Sequence, residues 1–180
     1  MIHGKNIILR TINPDEIDLI YELIVHINKK GRFWHLNIPS AKEFDNEYNR
    51  TGFWSVEEGR MLITTTQHEY VGEILYFKGL DYQSGYEVGY ELFHPSYAGK
   101  GYMTEALLLF CGYLFACYPI NRIQVNAMRE NISSCKVAEK CGFKYEGTMR
   151  KATYHDGKYH DLNLFSLLRE ECPPLSNLLG

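Results

Sequence analysis

Ala98-Gly-Lys-Gly-Tyr-Met-Thr-Glu105 joins a strand-like run at residues 86–93 to a long apolar run at residues 106–118. A glycine-bearing loop between a strand and a helix gathers backbone N–H groups and the positive end of the helix dipole around one point. Glycines in such a loop accept unusual dihedral angles and let an anion approach the backbone. The stretch therefore predicts a binding site for a phosphate or pyrophosphate.

Two familiar phosphate-binding loops do not fit this stretch. A P-loop requires Gly-Lys-Ser/Thr, whereas Lys100 is followed by Gly101. The dinucleotide fingerprint requires a third glycine at the position of Thr104, and no parallel βαβ pattern opens the chain. A plain loop before a helix is the remaining alternative, so the wider sequence has to decide.

Two blocks of sequence together resemble the GNAT N-acetyltransferases. Residues 86–106, which contain the glycine loop, resemble the acetyl-CoA-binding motif of that superfamily. In the second block, Asn131-x-x-Ser134 followed by Gly142-Phe143 and Glu146-Gly147 is similar to the RimJ/RimL branch, the ribosomal-protein N-terminal acetyltransferases and their relatives. The resemblance runs from Lys5 to Glu171 and implies an acetyl-CoA-dependent N-acetyltransferase.

The order of the elements predicts an α+β fold in one domain, residues 1–180. Hydrophobic periodicity and capping signals give the order βααβββαβαββ with mainly antiparallel neighbours. The resemblance adds the GNAT fold, an αβα three-layer sandwich whose central, mostly antiparallel seven-stranded sheet is splayed between its fourth and fifth strands. The predicted strands are 7–11, 61–66, 70–77, 86–93, 122–128, 145–154 and 158–167, and the predicted helices start at Asn13 and cover 40–50, 101–117 and 133–140.

Composition narrows the class of protein. A net charge of -3 over 180 residues argues against a general nucleic-acid binder, which would present a basic face. The apolar run at 106–118 is too short to cross a bilayer, and we find no secretory signal. The five cysteines are odd in number and lack the spacing of a metal site. We expect free thiols in a reducing cytoplasm, no metal, no nucleic-acid or membrane partner, and a monomer or homodimer.

The resemblance implies which residues hold acetyl-CoA. Loop N–H groups would cradle the pyrophosphate, and the main chain at Leu92-Phe93 would pair with the pantetheine arm and give an N–H to the thioester oxygen. Asn131 would bond the pantetheine amides, or it is simply a helix cap. Lys100 is either a solvated charge or a phosphate partner. The residues assigned to acetyl-CoA are Leu92, Phe93, Ala98, Gly99, Lys100, Gly101, Tyr102, Met103, Thr104, Asn131 and Ser134.

Two loop residues depart from the family pattern. Ala98 stands where Arg or Gln is usual, and Met103 stands where Gly or Ala is usual. Because the phosphate contacts are expected from the main chain, Ala98 costs one side-chain contact. Met103 is expected to place bulk near the phosphates.

The implied reaction is attack by a neutral amine on a thioester, which requires a held thioester, a deprotonated amine, a stabilised oxyanion and a protonated leaving thiolate. Glu87 and Glu91 point to one face of their strand, so either can be the base, or both are ordinary strand carboxylates. Ser134 can donate to the thiolate or only cap a helix, and Tyr145 or Tyr154 can take its place. An α-amine, whose ordinary pKa is about 8, requires little help from a base.

Aromatic residues next to acidic ones suggest where the amine binds. Two Phe-Trp pairs, at 33–34 and 53–54, bracket a predicted helix that carries three acidic residues. They suit a cationic or aromatic acceptor, although each tryptophan can instead belong to the core. His94 and His155 are proton shuttles or ordinary loop residues, and Asp161 is expected to bond nearby backbone. The residues assigned to the acceptor wall are Phe33, Trp34 and Trp54.

Three functions fit these patterns. The first is acetylation of a primary amine, with a protein N-terminal α-amine as the RimJ/RimL-like acceptor. The second is acetylation of a small amine such as a polyamine, an aminoglycoside or an aminoacyl-nucleotide antibiotic. The third is a CoA-binding sensor without turnover. Release of free thiol from acetyl-CoA across a panel of amines separates the enzymes from the sensor.

Overall fold

An eight-stranded sheet runs through the molecule in the order β1-β2-β3-β4-β5-β6-β8-β7. This computed structural model describes residues 1–79 and 85–180. The strands are β1 Ile2–His3, β2 Ile7–Arg10, β3 Glu58–Thr65, β4 Tyr70–Lys78, β5 Gly85–Leu92, β6 Arg122–Met128, β7 Lys144–His155 and β8 Lys158–Leu168. The α-helices are α1 Ile17–Val25, α2 Ala41–Thr51, α3 Tyr102–Cys117 and α4 Ile132–Lys140. Short 3-10 helices lie at Pro14–Glu16, Ile27–Lys29, Pro95–Tyr97, Arg169–Glu171 and Leu175–Asn177.

The predicted α+β class and the mostly antiparallel sheet are confirmed. Seven of the strands are those expected, and β1 adds a two-residue eighth strand because Ile2 pairs with Leu9. Among the described strands, the pairing of β5 with β6 is the parallel one. The largest boundary difference is at β3, which begins at Glu58 because residues 58–60 already pair with β4.

Helices cover the two faces of the sheet and make the three layers. Helix α3 is apolar on most sides, and its Leu107, Phe110 and Leu114 are fully buried in the larger core cluster. Helix α4 packs on the same face. The opposite face carries α1 and α2. Their Ile20 and Phe44 belong to a smaller buried cluster, which is called the α1–α2 cluster from here on. Over the two described ranges, no helix is both long and apolar enough to cross a bilayer.

The sheet opens between β5 and β6. These strands pair at three positions only, where Gly85, Tyr86 and Glu87 face residues 122–124. Beyond Glu87 the described strands make no further pairs with each other, and the gap between residues 88–92 and 125–128 is called the splay from here on. Strand β6 instead pairs along its whole length with β8. The splay exposes two strand edges close to the start of α3 and α4.

Candidate functional site

The loop before α3 is shaped by two glycines. Gly99 and Gly101 have φ of 75° and 83°, in the left-handed region that favours glycine. An added Cβ at either position would meet no atom within 4 Å. The glycines are therefore required by the backbone conformation, and the space beside them is open.

Consecutive backbone N–H groups in this loop have no acceptor. The N–H of Ala98 bonds the Pro95 carbonyl at 3.0 Å, and that of Glu105 bonds the Gly101 carbonyl at 3.0 Å. Between them, the N–H groups of residues 99–104 donate to no acceptor in the described part of the chain. The first N–H groups of a helix lack intrahelical acceptors and carry the positive end of its dipole. The loop is a positively polarised site for an anion.

The side chains of Ala98, Lys100 and Met103 do not fill the anion site, so the backbone N–H groups line it. The expectation for Met103 is wrong: its side chain is 8% exposed and packs in the larger core, because this position of α3 faces the sheet. Ala98 is exposed. The Lys100 ammonium lies 5.5 Å from the centre of the Tyr97 ring at the rim of the loop.

One edge of the splay is the main chain at the end of β5. Phe93 donates its N–H to the Val71 carbonyl at 3.0 Å, towards β4. Because backbone groups alternate sides along a strand, those of Tyr90 and Leu92 point towards the splay. The sequence assigned both Leu92 and Phe93 to the coenzyme. The geometry corrects this for Phe93, whose N–H is engaged and whose side chain is buried in the α1–α2 cluster.

The other edge is the start of α4. Asn131 caps this helix, since its Oδ1 accepts from the Ser134 N–H at 3.2 Å and from the Ser133 hydroxyl at 3.0 Å. Capping explains why a polar residue follows β6 here. Ser134 then lies in the first turn of α4, where its hydroxyl reaches across to β5.

The tyrosine beside Ser134 is one that the sequence did not indicate. The Tyr90 hydroxyl lies 3.0 Å from Ser134 Oγ and 3.1 Å from the Ser134 carbonyl. Burial raises the pKa of Tyr90 and keeps its phenol protonated. The two expected tyrosines lie elsewhere: Tyr145 bonds Thr148 at 2.6 Å, and Tyr154 is 64% exposed. The expectation that either replaces Ser134 is therefore wrong.

Glu87 joins the two strands where the splay opens. Its Oε2 accepts from Asn126 Nδ2 at 2.8 Å and from Gln124 Nε2 at 3.2 Å, both on β6. The bond to a carboxylate fixes the orientation of the Asn126 amide, which leaves Asn126 Oδ1 buried with no partner among the described residues. Glu87 is thus a bridging residue rather than an ordinary exposed carboxylate.

Glu91 lies on the same face as Glu87 and faces another carboxylate. It pairs across the strands with Glu73 of β4, and Glu73 forms an ion pair with Arg60 at 3.1 Å. Burial, followed by the proximity of Glu73, raises the pKa of Glu91. A carboxyl group whose pKa is raised in this way holds a proton near neutral pH, and its ionised form is a stronger base than an ordinary carboxylate.

The first aromatic pair lies on the side of the sheet that carries Glu91. Phe33 and Trp34 are half-buried, and Trp34 packs on the α1–α2 cluster. The Lys30 ammonium lies 5.9 Å from the centre of the Trp34 ring. His155 Nε2 lies 2.8 Å from the Arg32 carbonyl, which ties this loop to the β7–β8 hairpin. His155 is therefore a structural loop contact.

The assignment of Trp54 to the acceptor wall is wrong. Its ring packs edge-on against Tyr76 at 5.2 Å and against Phe110 of α3 at 6.4 Å. It thus lies on the α3 face, opposite to Glu91, whereas the neighbouring Phe53 packs in the cluster on the other face. The two rings of this Phe-Trp pair therefore pack in different core clusters.

The remaining polar candidates are structural. His94 Nδ1 accepts from the Ser96 N–H at 3.1 Å and so caps a short 3-10 helix. Asp161 accepts from the Lys151 N–H at 2.9 Å, where Lys151 has a φ of 50° within an irregular part of β7. The expectation that Asp161 bonds nearby backbone is met.

Comparisons with known proteins agree with this architecture. Residues 6–144 match the family described as the acetyltransferase (GNAT) domain. The SPbeta prophage-derived uncharacterized N-acetyltransferase YokL of Bacillus subtilis (strain 168) is 29% identical over 175 residues, 93% of each chain. The ribosomal-protein-serine acetyltransferase of Escherichia coli (strain K12) is 23% identical over 168 residues, 91% of this chain and 93% of that one.

A solved structure shares the fold. The spermidine N-acetyltransferase of Vibrio cholerae, crystallised with CoA and spermine, matches with a TM-score of 0.79 and 20% identity, over 92% of this chain and 96% of that one. Since the family match spans well over half of the sequence, the chain belongs to the GNAT acetyltransferase family.

Proposed function

We propose that this GNAT acetyltransferase transfers an acetyl group from acetyl-CoA to the α-amine of a protein N-terminus. The observation that carries the proposal is the run of unpartnered N–H groups at residues 99–104, at the start of α3. A diphosphate is the anion that such a run suits, because several of its oxygens can each accept an N–H. The open space beside Gly99 and Gly101 admits it.

The splay suits the arm of the coenzyme. The main chain of Tyr90 and Leu92 offers unpaired strand edge on one side, and Asn131 stands at the other side. An extended amide-bearing chain can pair with such an edge as a strand would. The Leu92 N–H is then the donor for the thioester oxygen, where negative charge develops during attack.

Ser134 and Tyr90 suit the leaving thiolate. A serine hydroxyl is a weak acid, so its contribution is a hydrogen bond to the sulfur as charge develops. The single phenol proton of Tyr90 is donated to the Ser134 carbonyl, so the Ser134 hydroxyl can donate to Tyr90 Oη or turn its proton towards the sulfur. Burial keeps the Tyr90 phenol protonated, so Tyr90 remains a donor to the Ser134 carbonyl and holds the first turn of α4 beside β5.

Glu91 suits the role of base. It lies one strand position before Leu92 and on the side of the sheet opposite to the larger core, from which an amine can approach. An α-amine with an ordinary pKa of about 8 must lose one proton before attack, and Glu91 accepts it directly or through a water molecule. Holding the neutral amine next to the thioester carbon supplies the remaining rate acceleration.

The acceptor side suits a chain rather than a compact molecule. Beyond α1 and α2, the same face of the sheet continues over β6 with half-exposed polar residues, Gln124 and Asn126 among them. The loop that carries Phe33 and Trp34 is tied to the β7–β8 hairpin through Arg32 and His155, and Trp34 packs on the cluster that covers the same face of the sheet. Similarity to the ribosomal-protein-serine acetyltransferase of E. coli supports a protein acceptor.

A polyamine acceptor is the second candidate. The bridging carboxylate of Glu87 and the buried, unpartnered Asn126 Oδ1 are both acceptors, and an ammonium group offers only donors. The fold shared with the spermidine acetyltransferase of V. cholerae, which was crystallised with spermine, supports this alternative.

Thiol release from acetyl-CoA tests the two acceptors directly. The panel contains peptides with free N-termini, the same peptides with acetylated N-termini, and spermidine. We expect kcat/KM to be at least about tenfold higher for free peptide N-termini than for spermidine. The reverse order would favour the polyamine. Binding of CoA without thiol release for any amine would contradict both and favour a sensor.

A further inference from the structure

Glu91 does not act alone, because a second carboxyl group lies directly opposite on the neighbouring strand. Glu73 and Glu91 are cross-strand partners. The bond from the Phe93 N–H to the Val71 carbonyl, two residues along each strand, makes theirs a hydrogen-bonded pair with Cα atoms roughly 5.5 Å apart. Glu73 is 3% exposed, and its proximity contributes to the raised pKa of Glu91.

Two carboxyl groups that face each other across neighbouring strands can share a proton, since ionising both places like charges side by side. The position of that proton is biased by Arg60. Its Nη1 lies 3.1 Å and 3.4 Å from the two oxygens of Glu73. Glu73 is therefore the ion-paired member, and the shared proton rests on Glu91.

Arg60 is held in place by aromatic rings. Its guanidinium carbon lies 5.1 Å from the centre of the Phe53 ring and 5.8 Å from that of Phe44 on α2. A planar guanidinium stacks well on such rings and keeps its fork aimed at a carboxylate. The ion pair between Arg60 on β3 and Glu73 on β4 is therefore held in one geometry by packing against α2.

The other charges that face this pair are few within the described chain. Arg60 on β3 and Lys30 after α1 both favour ionisation of Glu91. Glu47 on α2 interacts with Arg60. Lys30 is in turn held by the carbonyl groups of His35 and Asn37, at 2.6 Å and 3.2 Å.

We propose that Glu73, held by Arg60, is a positioning residue for acetyl transfer: it shares one proton with Glu91 and so decides when Glu91 can accept a proton from the acceptor ammonium. The inference rests on the proposed role of Glu91 as the base. In the resting pair Glu91 carries the proton. It must first release that proton to solvent, and the freed carboxylate then takes one from the ammonium and leaves a neutral amine.

The pH dependence of kcat/KM tests this coupling with one peptide acceptor. Glu73→Gln removes the like charge, so the acid limb should move to lower pH by about one unit or more. Arg60→Met removes the cation that favours ionisation, so the limb should move to higher pH, and Arg60→Lys should restore it in part. Glu69→Gln, an exposed carboxylate in the turn between β3 and β4, should leave the limb unchanged.

Opposite directions for the first two variants distinguish a proton-sharing role from a structural one. A limb that moves in the same direction in both, or in neither, would overturn the inference.

A titration without turnover separates this inference from the proposed function. Carbon-13 labelled carboxyl groups of glutamate are followed by NMR, and Glu91→Gln identifies the Glu91 signal. We expect Glu73→Gln to shift the midpoint of Glu91 to lower pH. An unmoved midpoint would overturn the inference alone. Full activity of Glu91→Gln would remove the base from the proposed function and overturn the inference with it.

Discussion

The hydroxyl of Tyr90 on β5 lies 3.0 Å from the hydroxyl of Ser134 on α4, so a side-chain hydrogen bond joins the two edges of the splay. Strand β5 pairs with β6 only up to Glu87, so this bond spans a gap that the backbone pairing of the sheet leaves open. The bond fixes the Ser134 rotamer next to the place proposed for the thioester sulfur.

Ser134→Ala should lower kcat by about tenfold or more, because it removes a donor to the leaving thiolate. Tyr90→Phe should lower kcat by a smaller factor, since Ser134 remains but is no longer held. Stopped-flow or steady-state thiol release measures both. Ser133→Ala is the matched control: within the described ranges, the Ser133 hydroxyl donates to Asn131 in the same turn and not to Tyr90. An unchanged rate in Ser134→Ala would show that Ser134 has a structural role in α4 and gives no help to the leaving thiolate.

Gly101→Glu should abolish binding of CoA, with a rise in Kd of about a hundredfold or more, because a carboxylate would stand among the anion-binding N–H groups. A control variant can carry the same backbone strain at a different place. Gly52 also has a positive φ, of 64°, and a Cβ added there would meet no atom within 4 Å. Gly52→Glu should lose similar stability in thermal melting yet bind CoA normally by calorimetry. Equal affinity in the two variants would remove the loop from the site.

The two tryptophans should behave differently. Trp34→Ala should raise KM for the acceptor with little change in KM for acetyl-CoA, since Trp34 borders the acceptor face. Trp54→Ala should leave both KM values close to wild type and lower the free energy of unfolding by about 3 kcal/mol, because it empties a space beside Tyr76 and Phe110. Steady-state kinetics and urea unfolding measure these. A raised acceptor KM in Trp54→Ala would contradict the placement of that ring.

Acid should destabilise the fold through Glu16. The bidentate bond from Arg10, supported by Tyr70 and the Asn13 N–H, lowers the pKa of Glu16 from 4.5 to about 2. A lowered pKa stabilises the fold above the unfolded value near 4.5, and this stability is lost as the pH falls towards 2.

Glu16→Gln should therefore reduce the free energy of unfolding by about 2–3 kcal/mol at pH 7, and the difference from wild type should shrink between pH 4.5 and pH 2. Urea unfolding across that range measures it, with the exposed Glu69→Gln as control. A difference that does not depend on pH would show that the carboxylate charge is not what stabilises the contact.

Much of the fold could be predicted because local signals agree with one another. The alternation of β5, the glycines before α3 and the cap at Asn131 each place a short segment, and the structure puts all three around the splay. The start of β3 was missed since Glu58, Gly59 and Arg60 carry no alternating pattern, and their strand conformation comes from pairing with β4.

The side-chain partners could not be predicted from one strand at a time. Alternation gives the face of Glu73 and of Glu91 separately, but their opposition depends on the register between β4 and β5. Tyr90 was overlooked for the same reason, because its partner Ser134 lies on a different element. Met103 and Trp54 were misplaced because residue type alone does not say which side of a helix or sheet edge a side chain takes.

We propose that the backbone amides at the start of α3 bind the diphosphate of coenzyme A. Titration of the ¹⁵N-labelled protein with CoA, followed by amide NMR, tests this binding residue by residue. We expect the amide signals of residues 99–104 to show the largest shifts and to saturate together with those of Leu92. Saturable binding that leaves these amide signals in place and moves others instead would contradict the proposal.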